Sequence, residues 1–325
     1  MKKFKVVLAA PSAHEEEIEM LRKEGGEVKF IPTPSQEELI KECKDADALI
    51  VGIAEVTGNL IKQSKKLKII ARHGAGYDNI DVKTATEEGI FVTNTPGVNI
   101  QSVAEFTFGL ILSLVRNIAS ADANMKSGGW RKESYWGIEL EGKTIGVIGF
   151  GKIGRKVGML ARCFGMEVLA YDPYISEEEI SKAGAKKVDL ETLLAGSDII
   201  SLHVPLTDKT RGLIGEKEIS QMKKGAYIVN VSRGKVVDEK ALYKALVNRQ
   251  IAGAALDVFS EEPPVDYSLI KLPNVVATPH IAAWTEVAKR KMALTAAEQV
   301  IMTLKGKVPT YSVNSPVAPK IKTIE

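Results

Sequence analysis

In the N-terminal third of the chain, short runs of aliphatic and β-branched residues alternate with stretches whose apolar positions recur every three or four residues. The runs Lys5–Ala9, Glu27–Ile31, Ala48–Val51, Lys68–Ala71 and Ile90–Thr93 read as strands. Helical patterns fill 14–24, 36–44, 57–63 and 81–88, with Ser35 and Asp81 among the N-caps. After Pro96 and Gly97 one long helix is expected over 100–126. A second series follows, with strands at Thr144–Ile148, Glu167–Tyr171, Ile199–His203, Tyr227–Val231, Gly253–Asp257 and Val275–Thr278. A last helix is expected over about 284–305, followed by a proline-interrupted tail from Val308 that reads as an extended strap. Strand and helix alternating at this spacing imply parallel sheets covered by helices on both faces, twice over.

Composition narrows the class. A chain of 325 residues is about two domains long. With 45% hydrophobic and 26% charged residues it can bury two cores, which excludes a wholly disordered chain. The formal charge of +3 is interleaved along the sequence, too weak a field to argue for nucleic acid or a membrane surface. Cys43 and Cys163 form no CxxC, consistent with reduced thiols. The run Phe4 to Ala10 leads into Pro11 and Glu15-Glu16-Glu17 without a small-residue cleavage site, so it reads as a strand and not a signal peptide. Phe106 to Val115 is too short to span a bilayer. A soluble, cytoplasmic protein is expected, with no membrane or nucleic-acid partner and no metal.

The strongest local signal is Gly149-Phe150-Gly151-Lys152-Ile153-Gly154, placed directly after an apolar strand and at the start of a helix. Gly149 permits the turn, Gly151 lets the backbone approach a pyrophosphate, and Gly154 allows close helix–strand packing. The N–H groups at the helix start, around Lys152 and Ile153, face the phosphates. The next strand ends at Asp172, eighteen residues after Gly154, where a carboxylate accepts from the ribose hydroxyls and repels a 2′-phosphate. No Arg follows it in Pro173-Tyr174, so NAD is expected over NADP.

Chemistry at an alcohol or carbonyl needs an acid/base near neutral pKa, and there are four histidines. His14 opens a polar helix and reads as surface. His73, in Arg72-His73-Gly74-Ala75-Gly76, is a candidate for substrate contact. His203 and His280 both follow strands, and ligands of open α/β sheets lie beyond the carboxyl ends of strands, so patterning leaves these two unresolved.

The motifs together resemble the D-isomer-specific 2-hydroxyacid dehydrogenase family, most closely its D-3-phosphoglycerate dehydrogenase branch. The resemblance runs through about Val313 and rests on six segments in order: Ala71 to Asp81, Asn94 to Asn99, Gly142 to Gly149 with the fingerprint, Asn230 to Gly234, Ala254 to Pro263, and Thr278-Pro279-His280. It implies a flavodoxin-like substrate domain, 1–98 plus 284–325, and a Rossmann NAD-binding domain, 99–283, inserted within it, with closure of the cleft during transfer. It implies His280 as general acid/base, Glu262 as the carboxylate that orients it, and Arg233 as the anchor of the substrate carboxylate. The Glu at 262 argues against formate dehydrogenase activity. Backbone N–H groups at Gly74, Ala75 and Gly76 would complete the carboxylate site, and Asn99 would contact substrate. Asp257 would read the nicotinamide carboxamide, while Val204, Val231, Ser232, Ala282 and Ala283 line the cofactor site. A homodimer through the NAD-binding domain is implied, and a regulatory extension is expected to be absent.

For the substrate, Arg72 and Lys132 match phosphate-contacting basic positions of the phosphoglycerate branch, whereas a third such position is Gly52 here. The expected pair is 3-phosphoglycerate and 3-phosphohydroxypyruvate. Glyoxylate or hydroxypyruvate reduction is the alternative, other D-2-hydroxy acids come after it, and an NAD-sensing corepressor is a non-enzymatic one.

Overall fold

The computed structural model describes residues 3–130, 132–316 and 318–321. The chain divides into two compact units, 1–99 with 284–325, and 100–283.

The first unit begins β1 (Phe4–Ala9), α1 (Glu15–Lys23), β2 (Gly26–Phe30), α2 (Gln36–Cys43), β3 (Ala48–Val51), α3 (Gly58–Gln63), β4 (Ile69–Arg72), α4 (Val82–Glu87) and β5 (Phe91–Thr93). Its five strands are parallel in the order β2-β1-β3-β4-β5, the flavodoxin-like winding. Successive residues point to opposite faces, so Val7, Ala9, Leu49, Val51, Ile70 and Val92 form one core with α2, α3 and α4. Val6, Leu8, Ala48, Ile50, Ile69 and Ala71 form the other. Burial on both faces is why β3, β4 and β5 read as continuous apolar runs, while the edge strand β2 stays largely exposed.

The second unit starts with α5 (Ile100–Val115) and α6 (Ile118–Lys126), then β6 (Thr144–Ile148), α7 (Lys152–Cys163), β7 (Glu167–Tyr171), α8 (Glu177–Lys182) and β8 (Lys186–Lys187). It continues through α9 (Leu190–Gly196), β9 (Ile199–Leu202), α10 (Glu216–Gln221), β10 (Tyr227–Asn230), α11 (Glu239–Val247), β11 (Gly253–Leu256) and β12 (Val275–Ala277). The strand order β12-β11-β10-β9-β6-β7-β8 is doubly wound and parallel, with β6 beside β9 at the switch. The chain then returns to the first unit as α12 (Glu286–Leu304), which lays Ala296, Ala297, Val300 and Leu304 on the core of β1, β3 and β4. The tail that follows is tied to the same sheet: Val92 N–H donates to Asn314 Oδ1 at 2.8 Å, and Asn314 Nδ2 donates to the Ile90 carbonyl at 2.9 Å.

The single helix expected over 100–126 is two helices bent by 65°. Asn117 adopts the left-handed conformation at φ 56°, and Ile138 N–H takes the Val115 carbonyl at 3.1 Å. A segment distant in sequence thus caps α5 where the apolar pattern alone would continue it. Among the described residues no single helix is long and apolar enough to cross a membrane.

Candidate active site

The fingerprint turn has the backbone that its glycines predict. Gly149 has φ +88°, and a Cβ there would meet the His203 carbonyl at 2.6 Å and Val204 Cγ1 at 2.7 Å. A Cβ on Gly154 would collide with the Gly149 carbonyl, whereas one on Gly151, the N-cap of α7, would meet nothing within 4 Å. Gly149 and Gly154 are therefore required by packing, while Gly151 borders open space before the free N–H groups at Lys152 and Ile153. That is a cradle of the kind a pyrophosphate fills. Asp172 is nearly buried and accepts from Phe150 N–H and Tyr174 N–H, each at 2.9 Å. One lone pair on each of its oxygens remains for ribose hydroxyls.

Three strand ends of the second unit converge through short-range bonds. Beyond β10, the Asn230 side chain clamps the turn. Its Oδ1 accepts from Ser232 N–H at 3.0 Å and Ser232 Oγ at 2.8 Å, and its Nδ2 donates to the Arg233 carbonyl at 2.9 Å. Val231 and Ser232 are buried. Gly234 lies so close to the Phe259 backbone that no Cβ fits, which joins the Arg233 turn to the loop beyond β11. In that loop Glu262 Oε1 accepts from Phe259 N–H at 3.0 Å, and Glu262 Oε2 lies 2.7 Å from His280 Nδ1. Burial pushes Glu262 up, but the His280 bond and charge, the Phe259 N–H and nearby Arg233 outweigh it and hold the carboxyl below the usual range. With Nδ1 engaged by Glu262, Nε2 is the nitrogen of His280 left to exchange a proton.

His280 itself has φ 55°, an uncommon conformation for a residue with a Cβ. Asp257, fully buried, supplies the reason. Its Oδ1 accepts from Thr278 Oγ1 at 2.6 Å and Ile281 N–H at 2.9 Å, and its Oδ2 from Ala282 N–H at 2.9 Å. Burial pushes Asp257 up, and these bonds only partly oppose it. Three lone pairs of Asp257, the residue expected to read a nicotinamide carboxamide, brace the turn that carries His280. Ala282 is buried beside it and Ala283 packs on the same core. Sequence reasoning missed Asn230 as a clamp, although Asn at a strand end is a turn signal. It also missed Glu239, whose Oε1 accepts from Ser260 N–H at 2.6 Å.

Two other histidines hold structural positions. His203 is half-buried as a residue, yet its ring is enclosed; Nε2 lies 2.8 Å from Ser201 Oγ, and burial pushes the imidazole down to about 3. It is held neutral. His14 is not a plain surface residue: it is the N-cap of α1, accepting from Glu16 N–H at 3.3 Å, with Nε2 3.3 Å from Glu286.

In the first unit, Arg72 is nearly buried at the end of β4, and its Nε donates to Asn79 Oδ1 at 3.3 Å. Asn79, unremarked in the sequence, donates in turn to the carbonyls of Gly52 at 3.1 Å and Ala54 at 2.7 Å. Gly74, at φ +135°, lies beneath the Arg72 guanidinium and donates its N–H to Thr95 Oγ1 at 3.0 Å. The expected anion donor at Gly74 is thus engaged internally. Ala75 and Gly76 keep N–H groups with no acceptor among the described residues. His73 is not a substrate contact, because its ring is fully buried between Ser12 and Glu17. Asn99 Oδ1 is buried with no partner among the described residues. Lys132, in the second unit, is exposed in a 3₁₀ turn.

Residues 108–282 match the model of the D-isomer specific 2-hydroxyacid dehydrogenase, NAD binding domain. D-3-phosphoglycerate dehydrogenase of Methanocaldococcus jannaschii is 47% identical over 318 residues, 97% of this chain and 60% of that protein, so the chain spans well under two thirds of that relative's length. Glyoxylate reductase of Thermococcus litoralis is 45% identical over 292 residues, 87% of this chain and 88% of that protein. Among solved structures, D-lactate dehydrogenase from Aquifex aeolicus, complexed with NAD and lactic acid, superposes with TM-score 0.86 at 32% identity, covering 96% of this chain and 99% of that one. A doubly wound dinucleotide fold carrying a histidine–carboxylate pair at its strand ends defines the class, and the chain belongs to the D-isomer-specific 2-hydroxyacid dehydrogenase family.

Proposed function

We propose that the protein is an NAD-dependent oxidoreductase that interconverts a D-2-hydroxy acid and its 2-oxo acid, with 3-phosphoglycerate and 3-phosphohydroxypyruvate as the pair. The observation that carries the reaction class is the 2.7 Å bond between Glu262 Oε2 and His280 Nδ1 at the strand ends of the NAD binding domain. NAD, when bound, would supply or accept the hydride at C2. His280 Nε2 gives a proton to the C2 oxygen in reduction and takes it back in oxidation, while Glu262 keeps the ring oriented and favours its charged form. Arg233, beside Glu262, is the side chain for the substrate carboxylate, its planar fork suited to two oxygens. In the first unit, the N–H groups of Ala75 and Gly76, with no acceptor among the described residues, are assigned to a substrate carboxylate on the strength of the family motif. Asp172 takes the adenosine ribose, and the Gly151 turn with the N–H groups of Lys152 and Ile153 takes the pyrophosphate. Val204 lies over the fingerprint turn, and Val231, Ser232, Ala282 and Ala283 complete the lining.

Phosphate is assigned to Arg72, Lys132 being the other basic position that the motif comparison suggests, and the identity to the M. jannaschii enzyme over nearly the whole chain supports this. Glyoxylate reduction is the second reading, favoured by Gly52, which offers no side chain to a phosphate, and by the likeness to the T. litoralis enzyme. NADH oxidation by the purified protein with phosphohydroxypyruvate, hydroxypyruvate and glyoxylate decides. A kcat/KM for phosphohydroxypyruvate at least about tenfold above that for hydroxypyruvate is expected. Equal values would retire the phosphate assignment, and no turnover with any of the three would retire the enzyme. A homodimer through the second unit is part of the reading, supported by Trp130 and Trp136, 77% and 88% exposed, near the exposed Ile118 and Met125 of α6. A cytoplasmic location belongs to the same proposal.

A further inference from the structure

The loop after β1 and the loop after β4 both leave the carboxyl end of the first sheet, and one buried side chain ties them. His73 Nδ1 lies 3.0 Å from Ser12 Oγ, and its Nε2–H donates to Glu17 Oε1 at 2.8 Å. The other Glu17 oxygen accepts from His14 N–H at 3.4 Å, and neither the His73 nor the Glu17 side chain has any exposure. A carboxylate and an imidazole buried this completely are poor sources of stability, since apolar residues of similar volume would pack as well. Their directional bonds do fix geometry.

What they fix is the segment that follows. The His73 N–H donates to the Val51 carbonyl at 2.9 Å. Gly74 exchanges two bonds with Thr95, each 3.0 Å, and the Ala75 carbonyl accepts from Asn94 Nδ2 at 2.7 Å. These ties cover the backbone from 73 to 75 and leave out two consecutive donors, the N–H groups of Ala75 and Gly76. We infer that His73, held by Ser12 and Glu17, is a positioning residue that fixes the Ala75 and Gly76 N–H pair for the carboxylate of a 2-oxo acid. The inference rests on the reading of those two amides as carboxylate donors. Donors displaced by about 1 Å lose much of an oriented contact, so the loss falls on substrate binding.

The test compares His73→Leu, Glu17→Leu and Glu17→Gln in the full chain, with NADH and either glyoxylate or hydroxypyruvate. Gln at 17 can keep every bond: its carbonyl accepts from His14 N–H, its amide donates to Nε2, and the ring turns its proton to Nδ1 and Ser12. His73→Leu and Glu17→Leu should raise KM about tenfold or more, with kcat within about threefold and the Kd for NADH unchanged. Glu17→Gln should stay within about twofold of the parent in KM. A purely structural role would lower Tm in the Leu variants and leave that KM-against-kcat split unmoved, which overturns the inference. Glu17→Gln matching Glu17→Leu in KM also overturns it. If the Leu variants do not fold, Ser12→Ala removes a single tie and should give an intermediate KM; an unchanged KM there counts against the role. Absence of any 2-oxo acid turnover in the parent protein would bring down the functional reading itself, whereas turnover with unmoved KM values brings down the role of His73 alone.

Discussion

Glu262 is held below the usual carboxylate range although its burial pushes the other way, so the His280 side chain sets its charge. A depressed folded pKa means stability that is full above the unfolded value of about 4.3 and is lost as pH falls through the folded value. Protonation there removes the acceptor that orients His280, so loss of the Glu262 charge should lower kcat only on the acid side of the ordinary carboxylate range. Glu262→Gln keeps a bond to Nδ1 and removes the charge, and should lower kcat less than His280→Ala, which should cost about 10²–10⁴-fold. Steady-state NADH oxidation across pH checks both, and an unchanged kcat in His280→Ala would sink the assignment. His203 is shifted in the same direction for a different reason, since burial disfavours its charged form, and it serves stability. Its folded value is about 3 against about 6.5 unfolded, so between those values the unfolded chain binds a proton that the folded chain does not. Stability is therefore complete above about pH 6.5 and declines as pH falls toward 3. Urea unfolding of His203→Gln should show a flatter dependence between about pH 6.5 and 4.5 than the parent; identical slopes would contradict the buried neutral ring.

At the scale of elements, the site depends on what holds the turn after β12. Thr278 O–H and the Ile281 and Ala282 N–H groups all aim at one carboxylate, so Asp257→Asn places an amide donor against at least one N–H. The 278–282 turn should loosen, and kcat should fall about tenfold or more with the Kd for NADH changed much less. NADH fluorescence titration beside steady-state kinetics separates that from a direct contact to the nicotinamide, which would move both. None of this bracing was legible in the sequence, because its partners are backbone N–H groups. His280 could not be separated from His203 by pattern, since both follow strands; motif context made the difference. His73 was misjudged because its partner Glu17 lies 56 residues away in a different element. The strands other than β8, by contrast, were readable to within a residue or two, most clearly where burial on both faces leaves an apolar run that needs no partner to interpret, whereas the two-residue β8, Lys186–Lys187, carries no such run. The break at Asn117 left no such mark. Apolar positions continue through it, and a segment some twenty residues further on supplies the bond that ends α5.

For the molecule as a whole, the cores say which parts of the chain can stand alone. Both clusters of the second unit draw only on residues 103–283, so that span carries everything its sheet packs against. The first unit is different, because one face of its sheet is closed by α12, which arrives from the far end of the sequence with Ala296, Ala297, Val300, Ile301 and Leu304. Full burial of a large aliphatic side chain is worth about 1.5–3 kcal/mol, against a total stability of about 5–15 kcal/mol for a domain, so losing α12 removes a decisive share. Residues 1–99 expressed alone should therefore unfold without a cooperative transition, and 1–99 joined to 284–325 through a flexible Gly/Ser linker should regain one. Residues 100–283 should unfold cooperatively by themselves and quench on titration with NADH, since the fingerprint turn and Asp172 both lie within that span. Circular dichroism during urea titration reads the first two outcomes and fluorescence the third. A cooperative transition in 1–99 alone would mean that α2, α3 and α4, with α1, suffice to close that sheet, and that α12 adds less to stability than its buried apolar face implies.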